Sequence, residues 1–280
     1  MGWRGSLQLD YRAEPLRGQP RTVVHDRHDG PLRVLASLYP EAPAVCHNVL
    51  VHPPGGLVAG DDLSVDVTLQ REAHALITTP GATRCYRSTG ATAAQHVRAR
   101  VDAGARLEWL PLETIAYSGC IAQSHLRFEL APGAEMIGWD VLALGLPASD
   151  QAFERGRYTQ SLELPGLWHE RGLIDSADQR LLDSPLGWDG RRVLATMWWA
   201  SGTPAAHPHL GALLEAARTA TQGDPLQRSS GASAVRDRVV VLRVLAPRVE
   251  PAMALLVKVW SLWRPIAWQM ASCAPRVWRT

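Results

Sequence analysis

The sequence predicts a mainly β protein: a β-helix or solenoid-like body over residues 1–200, with a smaller helical part over residues 201–280 packed on the same domain. Three observations predict it. Apolar and polar residues alternate from Ala44 to Val141. Within that stretch a unit of strand, tight turn, alanine and strand recurs three times. Apolar residues take up helical spacing only toward the C-terminus.

The alternation can be counted. In "DLSVDVTLQ" Leu63, Val65, Val67 and Leu69 share one face, while Ser64, Asp66 and Thr68 share the other. "QHVRARVDA" repeats this with Val97, Ala99 and Val101, and "SHLRFEL" with Leu126, Phe128 and Leu130. Successive side chains of a strand point to opposite faces, so each segment reads as a strand with one buried face. The turn signals "PPGG", "AGDD", "TPGA", "DAGA" and "APGA" separate them. In "LQREAHALITTP", "VDAGARLEWLP" and "LAPGAEMIGWD" the aligned alanines Ala73, Ala105 and Ala134 lie 32 and 29 residues apart. A period near 30 residues with two or three strands per unit suggests stacked β layers, as in a solenoid or an elongated sandwich.

The C-terminal part changes period. "HPHLGALLEAARTAT" places Leu210, Leu213, Leu214 and Ala217 on one helical face. "EPAMALLVKVWSLWRP" opens with Pro251 in the first turn and is expected to end before Pro265. Between the two helices, "GASAVRDRVVVLRVLAP" reads as one returning strand, and a C-terminal tail follows. Trp260, Trp263, Trp268 and Trp278 fall within nineteen residues. That is more aromatic surface than one helix needs, which points to a protein-binding face; the alternative is that they pack the helix onto the β body.

Composition excludes several classes. The chain has 46% hydrophobic and 20% charged residues, as a globular protein does. No run of about 18 apolar residues marks a membrane span. The charged start "MGWRGSLQLDYRAE" lacks a signal-peptide core, so a cytoplasmic location is expected. The net charge is +2 and the basic residues are dispersed, which argues against a nucleic-acid groove. Cys46, Cys85, Cys120 and Cys273 form no C-x-x-C pair, so neither a zinc ribbon nor a disulfide framework is indicated.

The densest candidate is "LVHPPGGLVAGDDLSV", residues 50–65. A phosphate loop needs a lysine and a following helix, whereas this turn leads into Asp61, Asp62 and a strand. The nucleotide reading fails. His52 beside two aspartates suits a divalent cation in chemistry but matches no compact metal motif. The competing reading is a connecting turn in which Gly55, Gly56 and Gly60 supply positive φ and Asp61 caps the turn. No G-x-S-x-G elbow is present, so the α/β-hydrolase arrangement lacks its nucleophile. Glu113 stands in the apolar "WLPLETI", and a carbohydrate-active β-solenoid enzyme would need a second carboxylate such as Asp61, Asp140 or Glu170 nearby. His207-Pro208-His209 reads as a capped, solvated turn before a helix.

Several long segments together resemble the urease accessory protein UreD family, called UreH in some organisms. They are "CHNVLVHPPGGLVAGDDL" (Cys46 to Leu63), "HALITTPGATRCYRS" (His74 to Ser88), "GARLEWLPLETI" (Gly104 to Ile115) and "GWDVLALGLPAS" (Gly138 to Ser149). "ERGLI" (Glu170 to Ile174) and the closing "WRPIAWQMASCAPRVWRT" also fit, so the likeness runs the length of the chain. It departs from the usual pattern at Arg84 and Cys85, and at "YSGC" (Tyr117 to Cys120).

The resemblance implies a maturation chaperone that is not an enzyme. It implies apo-urease, UreF and, through UreF, the GTPase UreG as partners, and a homodimer of the accessory complex. It also implies a β-helix-like fold with helical additions and a water-filled nickel channel, with UreF on the terminal tryptophans. No tightly bound cofactor, nucleic acid or membrane is expected, only transient Ni²⁺. Weak, wet carboxylates guide a cation without trapping it. The expected route set is therefore Asp61, Glu113, Asp140 and Glu170, with His52 and Cys85 secondary.

Overall fold

The computed structural model describes residues 2–279, so Thr280, the last residue of the closing motif, lies outside the described residues. A hairpin of β1 (Arg4–Leu16) and β2 (Gln19–Asp29) leads through β3 (Arg33–Val34) into the repeats. Three units follow, each a strand, a short corner strand and a second long strand. They are β4 (Val45–Val51), β5 (Gly56–Leu57) and β6 (Asp62–Leu69); β7 (His74–Thr78), β8 (Thr83–Cys85) and β9 (Ala93–Val101); β10 (Arg106–Trp109), β11 (Thr114–Ala116) and β12 (Cys120–Leu130). In the fourth, β13 (Glu135–Leu144) pairs with β11 through its far end, so one strand serves as side and corner before β14 (Gly156–Leu164). The chain closes with β15 (Trp168–Asp175), α1 (Gln179–Asp183), β16 (Val193–Ser201), α2 (His207–Thr221), β17 (Ser230–Val235), β18 (Val239–Ala246) and α3 (Val249–Trp268). This is a β-solenoid-like body of about four turns.

Stacking the units makes two sheets. The first runs β15-β14-β12-β9-β6-β1-β2, and the second runs β17-β18-β16-β13-β10-β7-β4-β3 with the corner strands attached. Neighbouring turns pair in parallel, so like residues stack: Val65 on Val97, Val97 on Leu126, Leu126 on Leu162. Antiparallel strands finish both sheets at each end. The aligned alanines explain the period. The amides of Ala73, Ala105 and Ala134 bond to the carbonyls of Gln70, Asp102 and Ala131 at 3.0, 3.0 and 2.9 Å, the same turn three times. All three alanines are fully buried where the chain crosses between sheets.

One apolar core fills the space between the sheets. A second lies on the outer face of the second sheet, under α2 and α3. Three sequence expectations change here. "GASAVRDRVVVLRVLAP" forms two strands, β17 and β18, because Arg236 adopts a left-handed conformation and turns the chain into a hairpin. Helix α3 passes through Pro265 and runs to Trp268, where Gln269 caps it in a left-handed conformation. Anchors on both sides hold it helical: Trp263 Nε1 donates to Leu213 O at 2.9 Å, and Trp268 Nε1 donates to Glu135 at 2.9 Å. Those tertiary bonds outweigh the one backbone bond that proline removes. Finally, Trp260, Trp263 and Trp268 are buried, and Trp278 packs on Trp139 and Trp260. The terminal tryptophans cement α3 to the β body. His207-Pro208-His209 is the first turn of α2, with the His209 ring 5.6 Å from that of Trp199.

Candidate functional site

The inward face of β6 is wholly apolar, whereas three later strands of the same sheet each carry a polar residue among apolar ones. In β9 the inward set is Gln95, Val97, Ala99, Val101; in β12 Ala122, Ser124, Leu126, Phe128; in β14 Tyr158, Gln160, Leu162, Leu164. Gln95, Ser124 and Gln160 are register partners across the first sheet. Facing them in the second sheet, Asp140 of β13 pairs with Thr196 of β16, and Thr196 with Arg243 of β18. The parallel stacking that aligns valines thus also aligns polar side chains. Two polar rows form a seam through an apolar core.

The seam borders an internal cavity of about 250 Å³. Leucines, valines and Trp109 form much of its apolar wall; Gln95, Ser124 and Asp140 add polar groups, and His52, Gly55, Pro80 and Arg84 lie where the wall is partly exposed. A second, separate space of about 10 Å³ lies among Gln160, Thr196 and Glu170, with Ser124, Leu126 and Asp140 as the wall it shares with the larger one. That is the room of roughly one water molecule. Two buried oxygens border this smaller space without a protein partner, Gln160 Oε1 and Thr196 Oγ1, as the Trp109 indole nitrogen borders the larger cavity. Buried polar atoms are normally satisfied, so a polar visitor is what this wall suits.

Electrostatics single out Asp140. Burial, with no compensating partner, pushes its carboxyl up to about 6. His52 moves the other way: burial lowers its imidazole, opposed by the charge of Asp61. At the far end Glu170 Oε1 accepts from Arg243 Nη1 at 2.7 Å, and a second bond joins Oε2 to Nη2.

The expected route residues separate into two groups. His52 and Asp140 line the larger cavity and Asp140 and Glu170 the smaller one, with Asp140 in the wall between them; Asp61, Glu113 and Cys85 line neither. Asp61 caps the opening turn, accepting from Trp3 N at 2.8 Å and Val58 N at 2.9 Å. Gly55 and Gly60 have the expected positive φ, but Gly56 does not; it is glycine because a Cβ would sit 2.6 Å from Arg84 O. Glu113 faces the start of α3, where burial and then the charge of Glu250 raise its carboxyl. Cys85 is buried in the core, where desolvation and then Cys120 push its thiol far up, so no thiolate is on offer. Among the described residues, no group of three or more His, Cys, Asp or Glu is placed to hold a metal ion.

A second polar cluster escaped the sequence reading. Arg264, fully buried in α3, meets Glu41 at 2.8 Å and Glu108 at 3.2 Å. His47 reaches Glu41 at 2.7 Å, His74 reaches Glu108 at 2.8 Å, and Trp260 Nε1 donates to Glu108 at 2.6 Å. Burial pushes the Glu108 carboxyl up, but His74, Arg264 and Trp260 together hold it below its ordinary value. Every polar partner here is structural, tying α3 to β7 and β10. The available signals were a glutamate between Leu107 and Trp109 and an arginine in an apolar helical stripe.

The family profile described as "UreD urease accessory protein" matches residues 4–279. A protein of Leptothrix cholodnii named "Urease accessory protein UreD" is 60% identical over 280 residues, covering 100% of both chains. Proteins of the same name from Variovorax paradoxus and Albidiferax ferrireducens are 58% and 56% identical, covering 100% and 99% of both chains respectively.

Proposed function

This chain belongs to the UreD family of urease accessory proteins, and from that premise we propose that its solenoid interior is the path by which Ni²⁺ moves toward apo-urease. It acts in urease maturation and is an accessory protein, not an enzyme. On this reading UreF binds the chain, UreG joins through UreF, and GTP belongs to UreG, since the glycine-rich turn here lacks the lysine of a phosphate loop. A cytoplasmic complex, paired as a homodimer, belongs to the same proposal. Among the described residues, no helix is long and apolar enough to cross a membrane. The carbohydrate-active alternative is not favoured, because the relatives are urease accessory proteins.

The observation that supports the path is the seam: His52 at the exposed wall, Asp140 midway, Glu170 at the far end, with amide and hydroxyl oxygens between. Carboxylate, amide and hydroxyl oxygens are weak ligands for nickel compared with imidazole or thiolate sets. A path built from them passes an ion on without holding it tightly. Asp140 supplies the negative charge that favours a cation inside a low-dielectric wall, and ligation by that cation would return its raised carboxyl to the ionised form.

The test is nickel per urease active site after activation by the complete accessory complex. Asp140→Asn is expected to leave the complex assembled on gel filtration and to lower nickel loading several-fold. Adding Gln160→Leu, which removes a seam oxygen, should bring loading near background. Full loading by the double variant would refute the path.

A further inference from the structure

Where the seam reaches the surface it ends in a cation that the protein itself supplies. In the first sheet the row Gln95, Ser124, Gln160 terminates at Gly172 of β15. In the second, Asp140, Thr196, Arg243 terminates at Gly231 of β17. A Cβ at Gly172 would find only ordinary contacts at 3.7 and 3.8 Å, and one at Gly231 would find nothing within 4 Å. Both edges therefore leave space where the rows run out. What spans that space is the bidentate pair of Glu170 with Arg243, one partner from each sheet.

We propose that Arg243 is a displaceable plug: its guanidinium occupies the Glu170 carboxylate at the sheet edges, and a divalent cation leaving the seam there exchanges with it. The inference rests on the path proposed above. The exchange makes and breaks no covalent bond. Glu170 gives up two charge-assisted hydrogen bonds and takes the metal, while Arg243 keeps its proton and swings to water. Burial makes this feasible in one direction. The Glu170 side chain is 19% exposed, facing the seam, whereas that of Arg243 is 43% exposed, so the guanidinium regains hydration easily. Arg243 has two further consequences. With the seam empty it neutralises a carboxylate that would otherwise stand unpaired at the end of an apolar core. With the seam in use it competes for the last carboxylate, so the ion is released there and not stored.

The experiment uses the full chain in its accessory complex, with Ni²⁺ as the probe. Equilibrium dialysis gives nickel affinity, and timed activation gives transfer to urease. Arg243→Gln is expected to tighten nickel binding about tenfold, the scale of one lost charge-assisted pair, and to slow transfer because the ion lingers at Glu170. Adding Glu170→Gln should abolish that gain. Arg243→Lys, a point charge without the two-pronged fit, should fall between Arg243→Gln and the parent in affinity. If Arg243→Gln does not assemble, the Arg243→Lys affinity decides by itself. Nickel affinity unchanged in every Arg243 variant overturns the plug and leaves the pair a clasp between sheets. The Asp140→Asn, Gln160→Leu double variant, measured alongside, separates the two ideas: full loading in it removes the path itself, whereas reduced loading with unchanged Arg243 affinities removes only the plug.

Discussion

Replacing Asp140 by Asn should make the protein more stable at neutral pH, by an amount the structure sets. The carboxyl ordinarily titrates at 3.8 and is pushed up to about 6 by burial. At about 1.36 kcal/mol per pH unit, that gap corresponds to about 3 kcal/mol lost when the folded protein must hold Asp140 ionised. The sign follows from the direction. Because the folded value lies above the unfolded one, the parent protein keeps its full stability below about 3.8 and loses it as pH rises through about 6. Water entering the adjoining cavity screens the charge, so a gain of about 1–3 kcal/mol is expected at pH 7.5. Asparagine keeps the shape and never ionises, so the difference between the two proteins should open between pH 4 and 6 and stay flat above. Urea unfolding of both proteins at pH 4, 5, 6 and 7.5 measures it; in thermal scans the shift should be about 2 °C per kcal/mol for a chain of this size. A constant offset at every pH, or a less stable Asn variant at pH 7.5, would refute the argument. An acid kept where it weakens the fold is what a functional residue looks like.

Three further outcomes follow from the packing. Arg264→Met leaves Glu41 and Glu108 buried without their counter-charge and should cost about 3–5 kcal/mol in denaturant unfolding; milder loss would mean His47 and His74 neutralise the pair unaided. A chain ending at Pro247 loses α3 and uncovers Trp139, Val141, Met197, Trp199 and Leu242, so it should be insoluble or bind a hydrophobic dye, and a soluble, cooperatively unfolding product would contradict this. Asp61→Ala removes the acceptor for Trp3 N and Val58 N and should cost about 1–2 kcal/mol, read by urea unfolding, with nickel affinity unchanged because Asp61 lies off the cavity.

The division between sequence and structure has a physical cause. Alternation at Leu63–Leu69, Val97–Val101 and Leu126–Leu130 specified strands with one buried face, and the aligned Ala73, Ala105 and Ala134 specified a repeat, because both patterns are local. Gln95 and Ser124 stand at inward parity in those same segments, whereas Gln160 lies in β14, which the alternation had not marked. That they form a row depends on register between strands about thirty residues apart, and that the row meets Asp140, Thr196 and Arg243 depends on how two sheets face each other. The same limit separated Glu170, which a distant arginine holds at the end of the seam, from Asp61, which its own turn consumes. It also hid the destination of Arg264, whose partners Glu41 and Glu108 lie 223 and 156 positions earlier in the chain. Periodicity reports which face a side chain takes; only the closed fold decides what that face meets.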